Sequence, residues 1–202
     1  MTSANFEKAL VALSNRKFFK NISISRGIER EALRSNLNGV ISKTPHPKSL
    51  GSALTNPFIT TDFAEALIEM VTPTFDTVEG LHSFLENLDF FVKENLNDEI
   101  LWNASMPCEL GDEKQIQIAE YGVSNTGRLK NIYRRGLRER YGSAMQCVSG
   151  IHYNFSLSKK SWQDFLNQNE SNQAEIDKAY FGLIRNVKRN YWLIAYLFGA
   201  SP

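Results

Sequence analysis

Asn21-Ile22-Ser23-Ile24-Ser25-Arg26-Gly27-Ile28-Glu29-Arg30-Glu31 decides how the chain is read. Its alternating residues have the period of a strand, in which successive side chains point to opposite faces. Ser25, Gly27, Glu29 and Glu31 then share one face, and Ile24, Arg26, Ile28 and Arg30 the other. Residues two apart on a face lie roughly 6.6 Å from each other. Two carboxylates so placed repel unless a cation lies beside them. Hard divalent cations such as Mg²⁺ take oxygen ligands, and the small Ser25 and Gly27 leave room above the face. The plain alternative is a solvated strand end, with Arg30 and Arg34 as ordinary ion-pair partners.

Further along, Thr60-Thr61-Asp62-Phe63-Ala64-Glu65-Ala66-Leu67-Ile68-Glu69-Met70-Val71-Thr72-Pro73 holds a second acidic group. Glu65 and Glu69 fall on one side whether the segment is helical or extended. Asp62 joins them in a helix and otherwise lies in the entering turn. Glu69 interrupts residues that ask to be buried, and a carboxylate in that setting needs a partner. In Gly150-Ile151-His152-Tyr153-Asn154-Phe155-Ser156-Leu157 an extended reading puts His152, Asn154 and Ser156 on one polar face. A lone histidine beside apolar residues is more often structural than a ligand.

The rest of the chain frames these stretches. Phe6, Ala9, Leu10 and Leu13 have helical spacing over residues 3–14. Residues 43–60 are broken by Pro45, Pro47, Gly51 and Pro57. Thr77 is placed to cap a helix with the stripe Val78, Leu81, Phe84, Leu85, Leu88 and Val92. A second helix spans about 126–141, with Leu129, Ile132, Tyr133 and Leu137 on one side. A long strand follows over 143–157. A final helix over 173–198 is expected to bury Ile176, Ala179, Tyr180, Leu183, Ile184 and Val187. The order of elements is α+β, without βαβ alternation.

Composition excludes more than it assigns. The 202 residues carry a net charge of +1, are 42% hydrophobic and 22% charged, and hold two cysteines. The near-neutral charge argues against nucleic-acid or anionic-membrane binding. Cys108 and Cys147 have no metal-ligand spacing and read as buried apolar residues of a reducing cytosol. The N-terminus is not a secretory signal, and no apolar run approaches the ~20 residues of a membrane span. A cytoplasmic location is therefore expected. Tyr121, Arg128, Lys130, Tyr133, Arg134, Arg135, Arg138 and Arg140 form either a solvated basic surface or arginine forks for carboxylate or phosphate. There is no phosphate-binding lysine loop and no dinucleotide glycine fingerprint. The ending Leu197-Phe198-Gly199-Ala200-Ser201-Pro202 lacks a polar tail and reads as a truncation.

Three stretches resemble the proteobacterial glutamate–cysteine ligase family: Arg26–Glu31, Gly51–Thr55 through Ile59–Glu65, and Tyr121-Gly122-Val123-Ser124-Asn125-Thr126-Gly127-Arg128. Ser105–Cys108, Gly150–Ser156 and Tyr196–Pro202 match it too, nearly collinearly from residue 20 onward. The resemblance implies an ATP-dependent carboxylate–amine ligase on the antiparallel sheet, with flanking helices, that this family shares with glutamine synthetase. In such an enzyme ATP phosphorylates the γ-carboxylate of L-glutamate and the amine of L-cysteine displaces phosphate. Glu29, Glu31, Asp62, Glu69 and His152 match the family's metal ligands, for Mg²⁺ or Mn²⁺. Tyr133, Leu137, Gln146 and Val148 match its cysteine side-chain pocket. Since family members run several hundred residues further, the chain is expected to be the N-terminal part of one catalytic domain, inactive alone, the complete enzyme being a monomer. An N-terminal module of a bifunctional glutathione synthetase and an inert metal-binding fragment are the alternatives.

Overall fold

The computed structural model describes Glu7, Val11, Ser14, residues 21–166 and residues 172–199. The stripe expected on the first helix, Phe6, Ala9, Leu10 and Leu13, lies outside them. Two compact units divide the chain, Ser25–Phe155 and the pair Met1–Ile24 with Ser156–Pro202.

The expected first strand is observed and runs further than its alternation predicts: β1 spans Ile24–Asn36. β2 (Ile59–Thr61) and β3 (Leu67–Val71) form an antiparallel hairpin. The sheet order is β2-β3-β1-β4, β4 being Glu99–Trp102, and β5 (Ile151–Leu157) also pairs with β1. The β1–β3 and β1–β4 pairs are antiparallel. β5 begins later than the expected 143–157 strand, because Met145–Cys147 turn into a short 3₁₀ helix instead.

Register sorts the two faces. Ala32 pairs with Ile68, Arg30 with Met70 and Ile59 with Met70. Their apolar side chains meet Leu88 and Val92 of α1, Val78–Glu94, in one core cluster with Leu50, Leu96 and Leu101. α1 begins where the sequence predicts, with Thr77 Oγ1 accepting from Gly80 N. On the opposite face Leu33 pairs with Leu67, and both enter a second cluster with Phe63, Ile116, Cys108 and Cys147. Both cysteines are free and buried. Leu137 of α2, Asn125–Tyr141, packs against this cluster from outside. The carboxylates occupy this second face too, further along β1.

In the smaller unit α3 (Lys159–Leu166) packs on α4 (Gln173–Phe198) through Trp162, whose ring lies 4.7 Å from that of Tyr180. Ile176 is buried as expected, but Ile184 and Val187 are 49% and 50% exposed, so the apolar stripe of α4 is covered only in its first turns.

Candidate active site

The acidic group is built by strand pairing. Glu31 of β1 stands directly across from Glu69 of β3, and Glu69 across from Thr60 of β2. Glu29, two residues before Glu31, shares its face. The side chain of Glu69 accepts no hydrogen bond from any described residue, although it is half-buried. Burial, then the charges of Asp62, Glu31 and Glu29, raise its carboxyl above the usual 4.5. The carboxyl of Glu31 is likewise raised by burial, against the bond that its Oε2 accepts from Gly150 N at 2.7 Å. Asp62 and Glu29 add to the rise, and the His152 charge opposes it.

β5 completes this face as its alternation predicts. Nδ1 of His152 lies 3.2 Å from Glu29 Oε2, and Asn154 Nδ2 donates to Glu29 Oε1 at 2.7 Å. The intervening Tyr153 points the other way, where its hydroxyl accepts from Arg26 Nε at 3.2 Å. Gly150 sits between the groups: a point at its missing Cβ is 3.5 Å from His152 Nε2 and 3.6 Å from Glu31 Oε2.

Asp62 enters the hairpin after β2. Its carboxylate lies 3.8 Å from Arg134 Nη2, and its side chain is 44% exposed. Glu65 does not join it, contrary to the four-residue spacing from Glu69. Glu65 lies in the hairpin turn itself, before β3 begins, and faces inward, accepting from His46 N at 2.8 Å and Glu120 N at 2.7 Å. It staples two loops.

Glu29, Glu31, Asp62, Glu69 and His152 thus gather around one region, each held by its own partner except Glu69. Among the described residues, no three His, Cys, Asp or Glu side chains are arranged to hold a metal ion as they stand. The donor set nevertheless fits one. Carboxylate oxygens with one imidazole suit a hard divalent cation, and around Glu31 and Glu69 burial and the neighbouring carboxylates outweigh the opposing charge of His152.

Of the four residues expected around a cysteine side chain, Tyr133 and Leu137 lie one turn apart on α2. Gln146 and Val148 flank the buried Cys147 in the 3₁₀ turn that packs against that helix. Tyr133 and Val148 are 59% and 41% exposed, whereas Leu137 is partly engaged in the core. The basic surface divides. Arg134 and Lys130 turn towards Tyr121, while Arg135 and Arg138 line a cleft of about 550 Å³ with Lys43 and Lys114.

The glutamate–cysteine ligase family model matches residues 8–202. The chain belongs to the glutamate–cysteine ligase family. It is 51% identical over 183 residues to the glutamate–cysteine ligase of Saccharophagus degradans, covering 89% of this chain and 34% of that protein. The Edwardsiella ictaluri enzyme is also 51% identical, with 89% and 35% covered. The structure of glutamate–cysteine ligase from Francisella tularensis in complex with AMP superposes with a TM-score of 0.83 at 43% identity, over 90% of this chain and 36% of that one. A bifunctional glutathione synthetase from Pasteurella multocida gives 0.80 at 32% identity, over 98% and 25%. The chain therefore spans about a third of the length of the curated relatives it matches. The antiparallel sheet with flanking helices is the family's fold over this part.

Asn154, Gly150 and Tyr121 also contact these residues, although none of them is among the expected metal ligands or pocket residues. The polar face of β5 already pointed to Asn154. Tyr121 lay among the basic residues, with nothing local to tie it to Asp62.

Proposed function

We propose that this chain is the N-terminal part of a single catalytic domain joining the γ-carboxylate of L-glutamate to the amine of L-cysteine, at the expense of ATP, in the first step of glutathione synthesis in the cytoplasm. The observation that carries the reading is the Glu31–Glu69 pair, two half-buried carboxylates directly opposed across the β1–β3 ladder, with both carboxyls raised by burial. Glu29, Glu31, Asp62, Glu69 and His152 would hold Mg²⁺ or Mn²⁺. Such ions, when bound, neutralise the phosphate oxygens of ATP during phosphoryl transfer.

The chain's own residues act around that centre. Asn154 and His152 fix the carboxylate of Glu29 from one side, and Gly150 fixes Glu31 through its N–H. Tyr133, Leu137, Gln146 and Val148, on α2 and the 3₁₀ turn packed against it, would receive the side chain of L-cysteine. ATP, L-glutamate and L-cysteine are the small-molecule partners, and the complete enzyme acts as a monomer.

The test is phosphate release dependent on ATP, Mg²⁺ and cysteine, measured on a chain completed to the length of its relatives. Glu29→Gln should lower the rate at least a hundredfold, and undiminished activity would remove Glu29 from the site. The 202-residue chain alone should show no turnover. The likeness to the bifunctional synthetase favours a second reading, a ligase module preceding another synthetase. The reading frame after Pro202 decides between the two.

A further inference from the structure

Asp62 belongs to a turn, and a turn residue needs something beyond the strand ladder to aim its side chain. Its N–H donates to Leu67 O at 3.0 Å, closing the hairpin. Its carbonyl is gripped from outside. The Tyr121 hydroxyl donates to Thr61 O at 2.5 Å and reaches Asp62 O at 3.1 Å. Arg134 Nε donates to the same Asp62 carbonyl, while Nη2 faces the carboxylate at 3.8 Å. One guanidinium therefore touches both the backbone and the side chain of a single residue, as its planar fork allows.

The gripping pair is itself held. Tyr121 is buried, with the Arg134 guanidinium 4.8 Å and the Lys130 ammonium 4.7 Å from its ring centre. Two cations at one ring are attracted by its π-face and repel each other, which keeps both long side chains in place. Helix α2 comes so close that the Tyr121 carbonyl leaves no room for a Cβ at Gly127. Arg134, two turns further along α2, is thereby brought over the hairpin.

We infer that Tyr121 and Arg134 are positioning residues that aim the Asp62 carboxylate at the Glu31–Glu69 pair. The inference rests on the proposed divalent-cation site. Partners of this kind, which orient a ligand without touching the metal, typically alter metal affinity by roughly 10–100-fold.

Mn²⁺ serves as the probe, its free concentration read by electron paramagnetic resonance during titration of the 202-residue chain. Three substitutions are compared, Asp62→Asn, Tyr121→Phe and Arg134→Lys. The last two conserve the ring and the net charge while removing the hydroxyl and the fork that grip the Asp62 carbonyl. Asp62→Asn should weaken Mn²⁺ binding at least tenfold. Tyr121→Phe and Arg134→Lys should each weaken it about three- to tenfold, at unchanged far-ultraviolet circular dichroism. If both bind Mn²⁺ as the parent does while Asp62→Asn does not, the positioning role is wrong and the cation site stands. If Asp62→Asn binds as the parent does, or the parent binds no Mn²⁺, the cation reading fails and this inference with it. A lower melting temperature with unaltered Mn²⁺ affinity likewise overturns the inference, since it marks a purely structural role. Tyr121→Phe removes a single hydroxyl, and it decides the question should Arg134→Lys fail to fold.

Discussion

Two charged sites lie on β1, five residues apart at most, and they are built on opposite principles. Arg34 has 0% exposure, yet both of its Nη atoms meet acceptors: Glu99 Oε2 at 2.6 Å, Thr44 Oγ1 at 2.6 Å and Thr44 O at 2.8 Å. Ser42 and Thr44 donate to the other oxygen of Glu99. Glu29, Glu31 and Glu69 crowd like charges together instead, and Glu69 has no described donor. A buried charge with its partners present is structural. A half-buried cluster of like charges costs stability instead, and that difference supports the proposed cation site at the second position.

The comparison breaks first at Glu99. Glu99→Ala leaves Arg34 buried and unpaired, and removing one partner of a buried pair costs about 3–5 kcal/mol. Urea unfolding of the parent and variant chains measures it. A loss under 1 kcal/mol would show that Arg34 is served by its neutral acceptors alone. Acid titration sharpens the same contrast. Burial acts to raise the Glu99 carboxyl, but the bonds from Ser42, Thr44 and Arg34 outweigh it and hold it below 4.5. A carboxyl lowered on folding adds stability above its unfolded value and loses it as pH falls through the folded one. The parent should therefore lose this contribution only below about pH 4.5, and Glu99→Ala should lack that limb of the melting-temperature profile.

Next in size is Glu65, which resembles the acidic site in sequence and Arg34 in construction. Both of its oxygens are taken by backbone N–H groups. Glu65→Ala should cost about 1.5–3 kcal/mol, the range for hydrogen bonds to a charged group. It should leave Mg²⁺ affinity unchanged, which calorimetry checks. A large loss of affinity would return Glu65 to the cation site.

Glu65 also shows where sequence reasoning stopped. Its spacing from Glu69 satisfies the helical and extended periods alike, so periodicity alone left residues 60–73 undecided. The choice is made by His46 N and Glu120 N, distant in sequence and carrying no local signal. β4 escaped for a related reason: it is four residues long, and its key residue Glu99 acts on a partner 65 positions away. β1, α1 and the polar face of β5 were legible because their alternation, cap and stripe are local. Glu29 and Glu31 were placed on one face by that alternation alone. Their meeting with Asp62, Glu69 and His152 depends on strand register, and came from the family resemblance. On α4 the periodicity specifies a helix but not its burial, because Ile184 and Val187 face no described cover.

The smallest effect is the most diagnostic. Glu31 and Glu69 are directly opposed, and like charges so placed destabilise a sheet by roughly 0.2–1 kcal/mol. Glu69→Gln keeps the shape and removes the repulsion, so without divalent cations the variant should be more stable than the parent by that amount. A carboxyl raised on folding costs stability above its folded value, and the cost is relieved as pH falls towards 4.5. The advantage of the variant should therefore shrink on acidification, the opposite slope to that of Glu99. Saturating Mg²⁺ should reverse the order, because an ion that binds only the folded chain stabilises it by mass action, and Glu69→Gln has lost a ligand. Melting temperatures with Mg²⁺ and with a chelator give all four values. A parent that stays below Glu69→Gln in both conditions would mean that these carboxylates repel without holding a cation, and the two ends of β1 would then differ in stability alone.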